Sequence, residues 1–180
     1  MELDRTIHLA RNGDKAALGR LCEHFHPLLT RFFLRLTGSP ADADDLAQST
    51  LVRMMEKLET FHFLPGRRFE GWLFRIAYNL FIDSRRPRSL LPLNDDFPIA
   101  DPSPGAEEMI ISEESAQAVR AAVRLLDPEM QALISLRYEM DLSYRDIAQA
   151  MNIPAARVKW RLHDALTKLR AALEKGGETP

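Results

Sequence analysis

Between Pro87 and Gly105 the chain carries five prolines, Pro87, Pro92, Pro98, Pro102 and Pro104, together with acids and little periodicity. Proline has a fixed φ and no backbone N–H, so such a stretch reads as a semi-extended linker rather than a helix or strand. It divides the 180 residues into segments 1–87 and 106–180, with 88–105 between them. Each segment is long enough for a small domain. Neither sustains the period-two alternation of a strand. The expected fold class is therefore all-α: two small helical domains joined by a Pro-rich acidic linker.

The helices can be placed. Asn12-Gly13-Asp14 breaks a short first helix. Leu18, Leu21, Cys22, Phe25, Leu29, Phe32, Phe33 and Leu36 form the apolar stripe of the second, which Thr37-Gly38 ends. Ser39-Pro40 restarts the chain as N-cap and first helical residue, with Asp42, Asp44 and Asp45 complementing the dipole of a helix that runs to about Leu58. A loop with Pro65-Gly66 precedes a fourth helix over roughly Phe69 to Arg86. In the second segment, Asp127-Pro128 is another cap of this kind. Ser143-Tyr144-Arg145-Asp146 is a loose capping box before a short helix, Tyr144 to Met151. The turn Asn152-Ile153-Pro154 then leads into a longer basic helix from about Ala155. Two helices joined by a tight turn, the second one basic, form a helix-turn-helix pattern.

Several function classes can be set aside. No apolar run approaches the ~20 residues of a membrane-spanning helix, and the N-terminus lacks the pattern of a signal peptide. The single cysteine, Cys22, fits a reducing compartment, so a cytoplasmic protein without membrane insertion is expected. Cys22, His24 and His26 invite a metal or redox reading, but only Cys22 and His26 share a helix face, and two ligands do not close a zinc site. No nucleophile-base set, glycine-rich phosphate loop or paired-carboxylate pocket is evident. No enzyme, metal or cofactor is expected.

Net charge is −2, yet its distribution is uneven. From Gly66 to Leu90, Arg67, Arg68, Arg75, Arg85, Arg86 and Arg88 face only Glu70 and Asp83. From Leu91 to Gln117 there are seven acids and no Lys or Arg. From Ile153 to Arg170, Arg157, Lys159, Arg161, Lys168 and Arg170 face only Asp164. Local patches decide where phosphates bind, so both basic segments are nucleic-acid candidates.

On a wheel of ~100° per residue, Val158, Leu162, Ala165, Leu166, Leu169 and Leu173 share one face of the last helix. Ala156, Arg157, Trp160, Asp164 and Thr167 lie opposite, with Lys159 and Arg161 flanking. A recognition helix needs outward residues near its start for base edges and flanking cations for phosphates. An ordinary amphipathic helix with a solvated face has the same wheel. In the other basic helix, Arg75, Asn79 and Asp83 recur every fourth residue, near Phe61, Phe63, Phe69 and Trp72. Aromatic groups beside cations suit unpaired bases. A core aromatic cluster capped by surface arginines fits the same residues.

Asp42-Ala43-Asp44-Asp45-Leu46-Ala47-Gln48, followed by Gly71-Trp72-Leu73-Phe74-Arg75-Ile76-Ala77-Tyr78-Asn79-Leu80-Phe81-Ile82-Asp83, resembles the promoter-melting domain of extracytoplasmic-function sigma factors of the sigma-70 family. Leu142-Ser143-Tyr144-Arg145-Asp146-Ile147-Ala148, with Val158-Lys159-Trp160-Arg161-Leu162-His163, is similar to that family's second domain. The resemblance spans about Leu9 to Leu173, the linker excepted.

The resemblance implies a non-catalytic subunit that binds core RNA polymerase and directs it to promoter DNA. Asp42, Asp45 and Gln48 would face the polymerase. Phe61, Phe63, Phe69, Trp72 and Asn79 would capture flipped bases of the minus-ten element, and Arg75, Arg85 and Arg86 would hold its backbone. Ala156, Arg157, Lys159, Trp160 and Arg161 would read the minus-thirty-five element as duplex. The acidic linker would thread near the RNA exit path. An anti-sigma factor is a further implied partner.

The chain departs from the family pattern at Ser49, often Glu; at Ala156-Arg157, often Gly-Thr; at Trp160, often small and polar; and at Asp164, often basic. These changes bear on promoter sequence rather than on function class. Two rivals remain on sequence alone. A stand-alone helix-turn-helix regulator leaves the first domain idle. A sigma-like decoy would not need Trp72, Arg75 and Asn79.

Overall fold

A computed structural model describes residues 2–63, 68–85 and 113–176. The chain divides into two compact units, each built on four α-helices among the described residues. No strand occurs among the described residues.

The first unit comprises α1 (Glu2–Arg11), α2 (Lys15–Thr37), α3 (Pro40–Lys57) and α4 (Phe69–Arg85), with a 3₁₀ turn at Leu58–Thr60. Its breaks are where local chemistry puts them. The Asp14 side chain accepts the Ala17 N–H at 3.0 Å and starts α2. Gly38, at φ 69°, ends α2 in the left-handed region, where a side chain is strained. Ser39 caps α3 by accepting the Asp42 N–H at 3.3 Å. α2 continues through Pro27, which is solvent-exposed.

Of the predicted stripe of α2, Leu21, Phe25, Leu29, Phe32, Phe33 and Leu36 are buried and form the core, while Leu18 and Cys22 are half-buried. α4 covers it with Phe69, Leu73, Phe74, Ala77, Tyr78 and Phe81, and α3 adds Ala43, Ala47, Leu51 and Met54. Burying each large apolar side chain contributes about 1.5–3 kcal/mol. That apolar area, rather than any single polar contact, holds the four helices together.

The second unit comprises α5 (Glu113–Arg124), α6 (Pro128–Ile134), α7 (Tyr144–Met151) and α8 (Ala155–Gly176). Asp127 caps α6, accepting the Met130 N–H at 2.9 Å. α6 runs on into a π-helical stretch, Ser135–Glu139. Met130, Leu133, Leu136, Leu142, Ile147, Val158, Leu162 and Ala165 form the core. The predicted linker, 88–105, lies outside the described residues.

Candidate nucleic-acid interface

α4 buries one side and presents the other. Arg75, Asn79 and Asp83 are all exposed, in one row along the helix. Arg85, at the end of α4, is also exposed, and its guanidinium carbon lies 5.4 Å from the centre of the Phe81 ring. Such a cation–ring contact keeps the charge near the helix surface. Arg86 lies outside the described residues.

The aromatic residues divide in a way that their sequence positions do not reveal. Phe61 and Phe69 are core residues, 4% and 3% exposed. Phe61 meets Phe69 and Phe63 with ring centres 5.0 Å apart in each case, and Trp72 lies 5.3 Å from Phe61 and 5.2 Å from Phe69. Phe69 also reaches Phe25 of α2 at 5.4 Å. Both rings therefore lie behind the surface that Phe63 and Trp72 present. Phe63, 43% exposed, and half-buried Trp72 are the members of the cluster that a ligand can reach.

On α3, the expected polymerase-facing residues Asp42, Asp45 and Gln48 are exposed. The Gln48 amide donates to Asp44 at 2.8 Å, and His26 of α2 lies 3.2 Å from the other Asp44 oxygen. Asp42 and Asp45 line a groove of about 440 Å³ with Leu46, Phe81 and Arg85. Val52 and Met55, exposed on α3 as well, give this surface apolar area that the sequence reading passed over.

In the second unit the helix-turn-helix is built as its residues predict. The Ser143 hydroxyl accepts the Asp146 N–H at 3.2 Å and donates to the Asp146 carboxylate at 2.6 Å, which fixes the start of α7. Asn152, at φ 57°, makes the turn. Asparagine visits the left-handed region more readily than most residues. Pro154 then accepts the Val158 N–H through its carbonyl at 3.2 Å as α8 begins.

Val158, Leu162 and Ala165 of α8 are buried, while Ala156, Lys159 and Trp160 are exposed and Arg157 is half-buried. Arg161, expected as a flanking phosphate contact, has a partner within the unit. Its guanidinium pairs with Glu129 of α6 at 3.3 Å, with only 21% of its side chain exposed. α8 turns its stripe of Arg161, Ala165 and Lys168 toward α6. Lys168 confirms the direction, reaching the Met130 sulfur at 3.8 Å.

Another residue that the sequence reading missed is Arg137. It donates to the Leu142 carbonyl at 3.1 Å, lies 3.5 Å from Asp141, and sits 5.4 Å from the centre of the Tyr144 ring. It ties the loop before α7 to the end of the π-helical stretch. Its signal was the left-handed Asp141, which sequence does not mark.

Cys22 is half-buried, and burial, reinforced by the neighbouring Glu23, pushes its thiol pKa above the usual value. That favours the neutral thiol over the reactive thiolate. Among the described residues, no group of three His, Cys, Asp or Glu side chains is placed to hold a metal ion, and no helix is long and apolar enough to cross a membrane.

Comparison with known proteins agrees with this arrangement. The family model of sigma-70 region 2 matches residues 21–90, and that of sigma-70 region 4 matches residues 122–171. The chain is 32% identical over 172 residues to the ECF RNA polymerase sigma factor SigE of Mycolicibacterium smegmatis, with 91% of this chain covered but only 65% of that longer protein. It is 30% identical to the ECF RNA polymerase sigma factor SigL of Mycobacterium tuberculosis, covering 94% of this chain and 96% of the relative. The sigma factor RpoE of Bartonella quintana, solved in complex with the anti-sigma factor NepR, shares the fold at a TM-score of 0.64 and 22% identity, covering 87% of this chain and 96% of that one. The two matched regions, in this order on one all-helical chain, and the near-full-length likeness to SigL have one reading: the chain belongs to the ECF RNA polymerase sigma factors, which are non-enzymatic transcription initiation factors.

Proposed function

We propose that the chain binds core RNA polymerase and directs promoter-specific initiation, with residues 1–87 engaging the polymerase and the melted minus-ten strand, 88–105 serving as linker, and 106–180 reading the minus-thirty-five duplex. One observation carries this reading. The exposed row Arg75–Asn79–Asp83, beside the accessible Phe63 and Trp72, stands on the same chain as a helix-turn-helix whose second helix exposes Trp160 near its start. A stand-alone regulator would need only the second of these surfaces.

In this reading, Asp42, Asp45 and Gln48 with Val52 and Met55 form the polymerase contact on α3. Bases of the minus-ten strand meet Phe63, Trp72 and Asn79, and its backbone meets Arg75, Arg85 and Arg86. Ala156, Arg157 and Trp160 face base edges in the major groove, and Lys159 holds a phosphate. Action in the cytoplasm follows from action on polymerase and DNA. Control by an anti-sigma factor is part of the proposal, supported by family membership; the likeness to RpoE, which was solved with one bound, adds only the fold.

Run-off transcription with purified core polymerase on genomic fragments tests the function. Discrete start sites that require the chain, preceded by a common pair of elements, are expected. Binding to duplex without any polymerase-dependent start would overturn the reading in favour of a stand-alone regulator.

A further inference from the structure

We propose that Arg161 is a positioning residue, which Glu129 holds so that its guanidinium sets the pose of the Trp160 indole at the start of the recognition helix. The inference rests on the reading of α8 as the duplex-contacting helix.

The observations form a chain from α6 outward. Glu129 lies in the first turn of α6, just after the Asp127 cap and Pro128, so its backbone is fixed. Its carboxylate lies 3.3 Å from the Arg161 guanidinium, with 29% and 21% of the two side chains exposed. The Arg161 guanidinium carbon lies 5.6 Å from the centre of the Trp160 ring, within the range of a cation–ring attraction. The Arg161 Nε is fully buried. One arginine therefore spends its charge on a carboxylate and an indole within its own unit. To reach a DNA phosphate it would have to leave both.

Trp160 is 40% exposed, so its ring is available at the surface of α8. Any ring that must enter a groove in one orientation gains from being held there beforehand, because the ordering cost is then met before binding. The planar guanidinium suits this role better than an ammonium, since it can face a carboxylate and an aromatic ring at once.

The test uses the 180-residue chain assembled with core polymerase, on a preferred upstream duplex selected from a random library and on unrelated duplexes, over a range of salt concentrations. Glu129→Gln keeps the shape of the side chain and removes its charge. Under the positioning role it weakens binding to the preferred duplex by about tenfold, the low end of a base contact. It leaves unrelated duplexes and the salt slope unchanged, and shifts the Trp160 indole N–H resonance of the free chain. Arg161→Lys weakens the preferred duplex similarly at unchanged slope. Under a phosphate-contact role the signs reverse. Glu129→Gln would free the arginine and tighten all duplexes alike, and Arg161→Ala would lower the salt slope by about one. Either result overturns the proposal, as does an unmoved indole resonance. If the unaltered assembly shows no preference for any upstream duplex, the reading of α8 fails, while the resonance still reports whether Glu129 sets the pose of Trp160.

Discussion

The ring of Phe61 meets that of Phe69 edge-on, with centres 5.0 Å apart and planes at 89°. This pair lies in the core of the first unit, and Phe63 is on the outside. The two rings and Phe63 should therefore respond differently to truncation. Phe61→Ala or Phe69→Ala should cost about 3–5 kcal/mol of stability, as for other buried aromatic rings. Phe63→Ala should cost less than about 1 kcal/mol yet reduce open-complex formation. Chemical denaturation alongside a melting assay separates the two. Equal destabilisation by all three would mean that Phe63 is part of the core in solution.

Trp160 and Lys159 are neighbours on α8 with different chemistry. Indole offers apolar surface and one donor, so its contribution should depend on sequence and little on salt. Trp160→Ala should cost roughly 1–3 kcal/mol on the preferred upstream duplex at nearly constant salt slope. Lys159→Ala should weaken all duplexes alike and lower the slope by about one. Salt titrations of both variants decide this, and a Trp160→Ala protein with intact duplex affinity would make the indole a protein-contact residue instead.

Asn152 holds the turn of the helix-turn-helix at φ 57°. Glycine reaches this conformation freely, and a β-branched residue does not. Asn152→Gly should change stability by only a few tenths of a kcal/mol, while Asn152→Val should cost about 1–2 kcal/mol. Denaturation followed by helical circular dichroism measures both. A neutral Asn152→Val would show that the turn has another low-energy shape.

Much of this was legible in the sequence because helices are periodic and their ends are chemical. The α2 stripe from Leu21 to Leu36, the caps Ser39 and Asp127, and the bounds of α7 all follow from spacing and residue type. Burial in the loop before α4 did not, because a loop has no period to tell Phe61 from Phe63. The Arg161–Glu129 contact was hidden for another reason. The wheel position of Arg161 allows either a phosphate or a neighbour, and the deciding partner, Glu129, belongs to another helix. The π-helical stretch Ser135–Glu139 has no composition of its own, and neither does the Arg137 clamp beside it.

Burial and the nearby Glu23 raise the pKa of the Cys22 thiol. The thiolate is the nucleophile, so Cys22 should be alkylated by iodoacetamide at pH 8 several-fold more slowly than an unfolded control peptide. The rate should rise toward the control only at higher pH or on unfolding. Alkylation as fast as the control at pH 8 would point to an exposed, activated thiol and reopen a redox role.

The central claim is that one chain melts DNA with its first unit and reads duplex with its second, as a subunit of polymerase. Asn79 is exposed in the row with Arg75 and Asp83, so Asn79→Ala should change stability by no more than about 0.5 kcal/mol. Permanganate probing of unpaired thymines around the start site, run beside a footprint of the upstream element, tests the claim most directly. Thymines should become reactive only with core polymerase and the chain together. Asn79→Ala should suppress that reactivity while the upstream footprint stays. Equal loss of both signals would make Asn79 a residue of the fold, and an upstream footprint by the chain without any polymerase-dependent melting would contradict the account.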